Sequence, residues 1–218
     1  MKKVFGGPLC LLVLCSANLF AQENSRMPRA VHISEKSQIH IPAAETTLTR
    51  IFSNLGRAAN AYNDTEGFLV AGSASGLGQD FIGVAFTPKA DSTVTVIRAA
   101  LLFLDEGNGA PNQINVSLYN DAGGVPGEII RGPHTITNLP EAGTCCTLAT
   151  WHLSKGVSVF AGVQYWVVAD APATGTGSDS AAAWDIVFPS FPEAFNDGSW
   201  FQSNGDMRFG LGVLGTVP

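Results

Sequence analysis

Residues 112–120 read NQINVSLYN. Ile114, Val116 and Leu118 occupy every second position, and Asn115, Ser117 and Tyr119 fall between them. A period of two puts successive side chains on opposite faces of an extended chain, so this stretch predicts a strand with one face on a core. Upstream, QDFIGVAFT alternates in the same way, with Phe81, Gly83 and Ala85 on one face and Ile82, Val84 and Phe86 on the other. STVTVIRAALLFLDE predicts one long, bulged strand, its β-branched lead-in favouring strand over helix. Downstream, GEIIRGPHTI is a weaker strand, and TLATWHL and VQYWVVAD are strong ones. SAAAWDIVF, GSWFQ and MRFGLGVLG complete a set of about ten, with LTRIFSNL and GFLVAGS ahead of them. There is no amphipathic helix of note and no internal repeat. Regular spacing of short strands predicts an all-β protein, an antiparallel two-sheet β-sandwich of jelly-roll type spanning residues 47–218.

The turns agree with this reading. NDAGGVPGE sits between two of the strands. Asn120 and Asp121 bond their own backbone in such turns, glycines permit positive φ, and Pro126 fixes the next corner. A calcium loop would place several carboxylates at alternating positions. Only Asp121 and Glu128 are near, so Asp121 is read as a turn residue, and no metal site is expected.

The N-terminus reads MKKVFGGPLCLLVLCSANLFAQENS. Lys2 and Lys3, an apolar run from Pro8 to Leu14 and a small-residue approach to Ala21 form the three-part pattern of a secretory signal peptide, residues 1–21. The run is shorter than the roughly 20 residues a bilayer requires. No later segment reads as a membrane span, and the mature chain is expected to be secreted, extracellular or periplasmic. Residues 22–46 are polar and unpatterned and read as a flexible tail, with VHI and IHI as short edge-strand candidates. His32 and His40 fall there and are read as solvated.

With Lys2 and Lys3 removed, 10 basic residues face 18 acidic ones, a net charge of −8. Such a surface repels phosphate backbones, which excludes nucleic acid as an expected partner. Cys10 and Cys15 leave with the leader, so the exported chain keeps only the neighbours Cys145 and Cys146. Three states are open to them: a bond to each other, pairing between chains, or two thiols. Neighbouring Cα atoms across a trans peptide are about 3.8 Å apart, below the usual disulfide span of about 4.4–6.8 Å, so a vicinal bond makes a strained ring that locks a tight turn. An oxidising compartment disfavours the free thiols.

No constellation for catalysis stands out. GxSxG, HExxH and P-loop motifs are absent, and no cofactor is implied. His134 and His152 lack visible partners. Asp170, Asp179 and Asp185 flank APATGTGS, and a glycosidase pair among them would depend on a separation that sequence does not give. The binding candidates are aromatic. WDIVFPSFPEAFNDGSWF, residues 184–201, predicts an exposed loop over residues 188–197 that presents Phe191 and Phe195, with Trp184 and Trp200 as further contact candidates that double as core residues. The expectation is a non-catalytic binding module for a neutral glycan or a protein. Alternatives are an inert envelope or matrix protein and a glycan hydrolase. Oligomeric state is left open.

The segments GVAFT, VIRAALLFL, INVSLYNDAGGVPGEII, CCTLATWHLSKGVSVFAGVQYWVVAD and GSWFQSNGDMRFGLGVLGT together resemble the secreted bacterial choice-of-anchor domains. The shared pieces are a strand ending in Phe-Thr, a GG-x-PG turn, an adjacent cysteine pair, an AG-x-x-YW strand entry and a last strand closing on Gly-Thr. The resemblance spans about residues 48–216. It implies a jelly-roll-like sandwich in an exported bacterial protein and no particular activity.

Overall fold

Ile114, Val116 and Leu118 are all fully buried. They lie on the inner face of a six-stranded sheet, where Ile82, Val84 and Phe86 and then Tyr165, Val167 and Ala169 continue the same apolar layer. The computed structural model describes residues 29–32, 48–56, 61–105, 107, 109–173, 179–187, 193–196, 198–203 and 208–218. The expected leader 1–21, His40, Phe188 and Phe191 lie outside them.

The strands are β1 (Ala30–His32), β2 (Thr49–Ser53), β3 (Glu66–Ala71), β4 (Phe81–Phe86), β5 (Ser92–Ala99), β6 (Leu101–Phe103) and β7 (Gln113–Asp121). They continue with β8 (Pro126–Thr137), β9 (Ala149–Val159), β10 (Tyr165–Asp170), β11 (Ala181–Asp185), β12 (Glu193–Asn196), β13 (Trp200–Ser203) and β14 (Leu211–Thr216). Every strand pairing is antiparallel. No helix occurs among the described residues. The all-β, sandwich-like architecture follows from the alternation: each strand half-buries one face and needs a second layer to cover it.

Among the described residues the strands form three sheets rather than two. Their orders are β1-β3-β11-β6, β13-β12-β4-β10-β7-β8 and β2-β14-β5-β9. The expected single long strand over residues 92–103 breaks at Ala100 into β5 and β6. There the backbone turns a corner held by three bonds: Ala100 N to Gly210 O at 2.9 Å, Gly210 N to Asp185 O at 2.8 Å and Asp185 N to Ala100 O at 2.8 Å. The two four-stranded sheets meet at this corner, and both contribute to the core that the six-stranded sheet covers.

Three further differences bear on function. Residues 30–32, inside the expected tail and overlapping the edge-strand candidate VHI, form the edge strand β1 and pair with residues 66–68 of β3. The weak strand GEIIRGPHTI is part of the 12-residue β8, paired with β7 through several register shifts. The expected exposed loop 188–197 is corrected over its described part, because Glu193–Asn196 is β12, hydrogen-bonded between β4 and β13. Phe195 is only 1% exposed. It packs 5.8 Å from Phe209 and 6.4 Å from Phe68, ring centre to ring centre. In register with Ile82, its ring must enter the core, as that of a strand residue two positions away would also do.

Candidate functional site

The cleft with the best claim lies on the outer face of the β1-β3-β11-β6 sheet. In a sandwich that face is expected to be polar. Here Leu69, Ala71 and Ala181 form a buried apolar cluster, with Val31 and Leu104 packed on it. The reason is visible in β6 and its exit: Leu101–Leu104 is apolar on both faces, so only one face can serve the main core. The cleft above this floor has a volume of about 640 Å³.

Two structures wall it. On one side Arg29 anchors the start of β1. Its Nη2 donates to Gly78 O at 3.0 Å, its Nη1 donates to Leu77 O, and its Nε lies 3.5 Å from Asp80 Oδ2. Leu69 N donates to Arg29 O at 3.1 Å. On the other side the segment 140–142 runs alongside β6, with Phe103 N donating to Pro140 O at 2.8 Å and Ala142 N to Phe103 O at 3.0 Å. His32, Asp105 and Glu141 stand at the rim. Since Asp80 offsets Arg29, the balance of the rim charge is negative.

The wall segment continues into the cysteine pair. Cys145 and Cys146 are joined by a disulfide, with Cα atoms 3.1 Å apart across a cis peptide. Cys146 is buried and Cys145 half-buried. The Tyr62 hydroxyl lies 3.0 Å from both Thr144 O and Thr147 O, bracketing the pair. Burial pushes that phenol well above its usual range, and the carboxylates Asp185 and Asp64 push it further, so it stays a donor.

The aromatic candidates separate. Trp184 is fully buried, its Nε1 donating to Gly210 O at 3.0 Å. Phe195 is core, as described. Trp200 is half-buried and packs with Tyr119 against Trp166 and Ala85 on the outer face of the six-stranded sheet. These residues do not form one site, and none of them lines the cleft.

The other candidates also have distinct surroundings. Asp121 accepts from Trp166 Nε1 at 2.8 Å, Gln164 Nε2 at 2.7 Å and Gly124 N at 3.2 Å, which is turn chemistry. Gly123 and Gly124 adopt φ of 72° and 93° there, a region that favours glycine. His134 stacks on Trp151 at 5.2 Å. Asp179 accepts from Ala74 N at 2.9 Å. Asp170 accepts from Asn115 Nδ2 at 2.9 Å; burial pushes its carboxyl up and that bond pulls it down, with a net rise. Asp185 is fully buried with neither oxygen hydrogen-bonded, and burial, then the nearby Asp64, push it up to about 9. The three aspartates thus stand in separate surroundings.

The cleft itself escaped sequence reading. Its signals were the apolar run Leu101–Leu104 and the edge-strand candidate VHI, which lay in a stretch otherwise read as tail. Compared with family models, curated proteins and solved structures, the chain matches none.

Proposed function

We propose that this protein is an exported, non-catalytic β-sandwich of jelly-roll type that binds a protein partner at the cell exterior, through the cleft over the β1-β3-β11-β6 sheet. The observation that carries the reading is the floor of Leu69, Val31 and Leu104 under a net acidic rim. An apolar concavity with a few polar groups is the usual form of a binding site. No tryptophan or tyrosine lines it, so it suits an aliphatic or aromatic side chain of a partner better than a sugar ring. Asp105, exposed at the rim, favours a basic residue beside that anchor. Export is supported by the leader pattern of residues 1–21, and the jelly-roll reading by strand spacing and the resemblance to choice-of-anchor domains.

Selection of a displayed random-peptide library on the purified protein tests this. Enriched peptides are expected to pair a large apolar residue with a nearby Lys or Arg, and to lose binding to Leu69→Asp while keeping it to Phe160→Ser, a change at an exposed tip. Enrichment that Leu69→Asp leaves untouched sinks the cleft as the site.

A further inference from the structure

The outer face of the six-stranded sheet carries a second, separate arrangement. Register places one residue from each strand in a single row. Trp200 of β13 lies opposite Asn196 of β12, which lies opposite Phe81 of β4. Asp170 of β10 follows one step beyond the Ala169–Ile82 pair and so flanks Phe81. Asp170 lies opposite Asn115 of β7, and Asn115 opposite Thr135 of β8. All six are half-buried or exposed, whereas the next outward position on several strands is small or sealed, as at Gly83, Ala194 and Ser117. At about 4.8 Å per strand the row is about 24 Å long.

Its chemistry is directional. Thr135 Oγ1 donates to Asn115 Oδ1 at 2.8 Å, and Asn115 Nδ2 donates to Asp170 Oδ1 at 2.9 Å. The relay orients each group and leaves Asp170 Oδ2 to accept from a ligand. At the other half of the row half-buried Phe81 supplies an apolar side chain, with half-buried Trp200 at its end. The Trp200 ring lies over Gly83 and packs against Ala85 and Trp166.

We infer that this row is a binding platform for an extended, neutral, β-linked polysaccharide. Sugar rings offer C–H faces that pack on aromatic side chains and hydroxyls that pair with fixed amide and carboxylate groups. The advance of one strand is close to the advance of one sugar unit along such a chain, so successive units meet successive strands. A net charge of −8 on the mature chain opposes polyanionic glycans. The platform does not depend on the cleft: it stands on a different sheet and uses different residues.

Affinity electrophoresis of the purified protein in gels containing hydroxyethylcellulose, galactomannan or arabinoxylan tests the inference. Retardation by at least one of them is expected. Phe81→Ala and Asn115→Ala are each expected to weaken it by roughly tenfold, the scale of losing a buried anchor, while thermal melts confirm that the variants fold. Thr135→Lys, at an exposed position, gives a block that does not rely on the core. Leu69→Asp in the cleft is expected to leave retardation unchanged, which separates this platform from the protein site. Absence of retardation by all three polysaccharides overturns the inference, as does retardation that the Phe81, Asn115 and Thr135 changes all leave intact.

Discussion

The Trp166 indole nitrogen donates to Asp121 Oδ1 at 2.8 Å, tying the turn after β7 to the outer face of β10. Trp166 is wholly buried on a face that a sandwich usually leaves wet, and this bond satisfies its only donor. Partial burial pushes the Asp121 carboxyl up, but the hydrogen bonds from Trp166, Gln164 and the Gly124 and Gly123 amides outweigh it and hold the group below its ordinary range.

Asp121→Ala leaves the indole donor unpaired, a cost of about 1–3 kcal/mol in urea unfolding at neutral pH. The sign with pH follows from the lowered carboxyl. Its contribution is complete above the unfolded value near 3.8 and is lost as pH falls through the lower folded value. The difference between wild type and variant should therefore shrink only in strong acid. A difference that is constant down to the lowest accessible pH would count against the charge-assisted bond.

Asp185 acts in the opposite sense. Its carboxyl is raised from an ordinary 3.8 to about 9, so the folded chain holds a proton that the unfolded chain has released. The penalty is absent below the unfolded value and grows as pH rises toward the folded one. Asp185→Asn is expected to be more stable than wild type at neutral pH. The gain should grow by about 1.4 kcal/mol per pH unit between pH 5 and pH 8. Urea titrations at those two values measure it, and a flat difference would contradict it.

Phe195→Ala opens a cavity among Phe68, Phe209 and the β4 core residues. The expected loss is about 3–5 kcal/mol, as for other buried phenylalanines. A change below 1 kcal/mol, on the scale of an ordinary surface substitution, would restore the sequence-level expectation that this ring is presented to a partner.

Non-reduced mass spectrometry should find Cys145 and Cys146 in one peptide that has lost a hydrogen from each thiol, with no cross-linked dimer. The warrant is the adjacency of the two residues and the proposed export, in which Cys10 and Cys15 would leave with residues 1–21. Two thiols that alkylate without prior reduction would refute it.

What could be read from sequence was whatever a period of two encodes. Ile114, Val116 and Leu118, and Ile82, Val84 and Phe86, face the core as their spacing requires. The same rule misled nowhere that alternation was clear. It was silent where pairing partners decide the outcome. Phe195 sits between prolines and turn residues, and only its register with Ile82 sends it inward. Ala100 looks like any strand residue, and only its bonds to Gly210 and Asp185 reveal a corner. The cleft needs β1, β6 and segment 140–142 together, three pieces far apart in sequence whose meeting no local pattern announces. The polar row on the six-stranded sheet is likewise a property of register across six strands.

The order of the β2-β14-β5-β9 sheet has a consequence for assembly. Its second strand, Leu211–Thr216, is the last among the described residues, and it slots between one of the first strands and a strand from the middle. Until those residues arrive, Thr49–Ser53 has no partner in that sheet and Val94, Ile97 and Ala99 lack their neighbour on that side. Pairings this distant in sequence close late. A chain wired this way leaves the sheet in two pieces, the lone strand β2 and the β5-β9 pair, until Leu211–Thr216 bridges them.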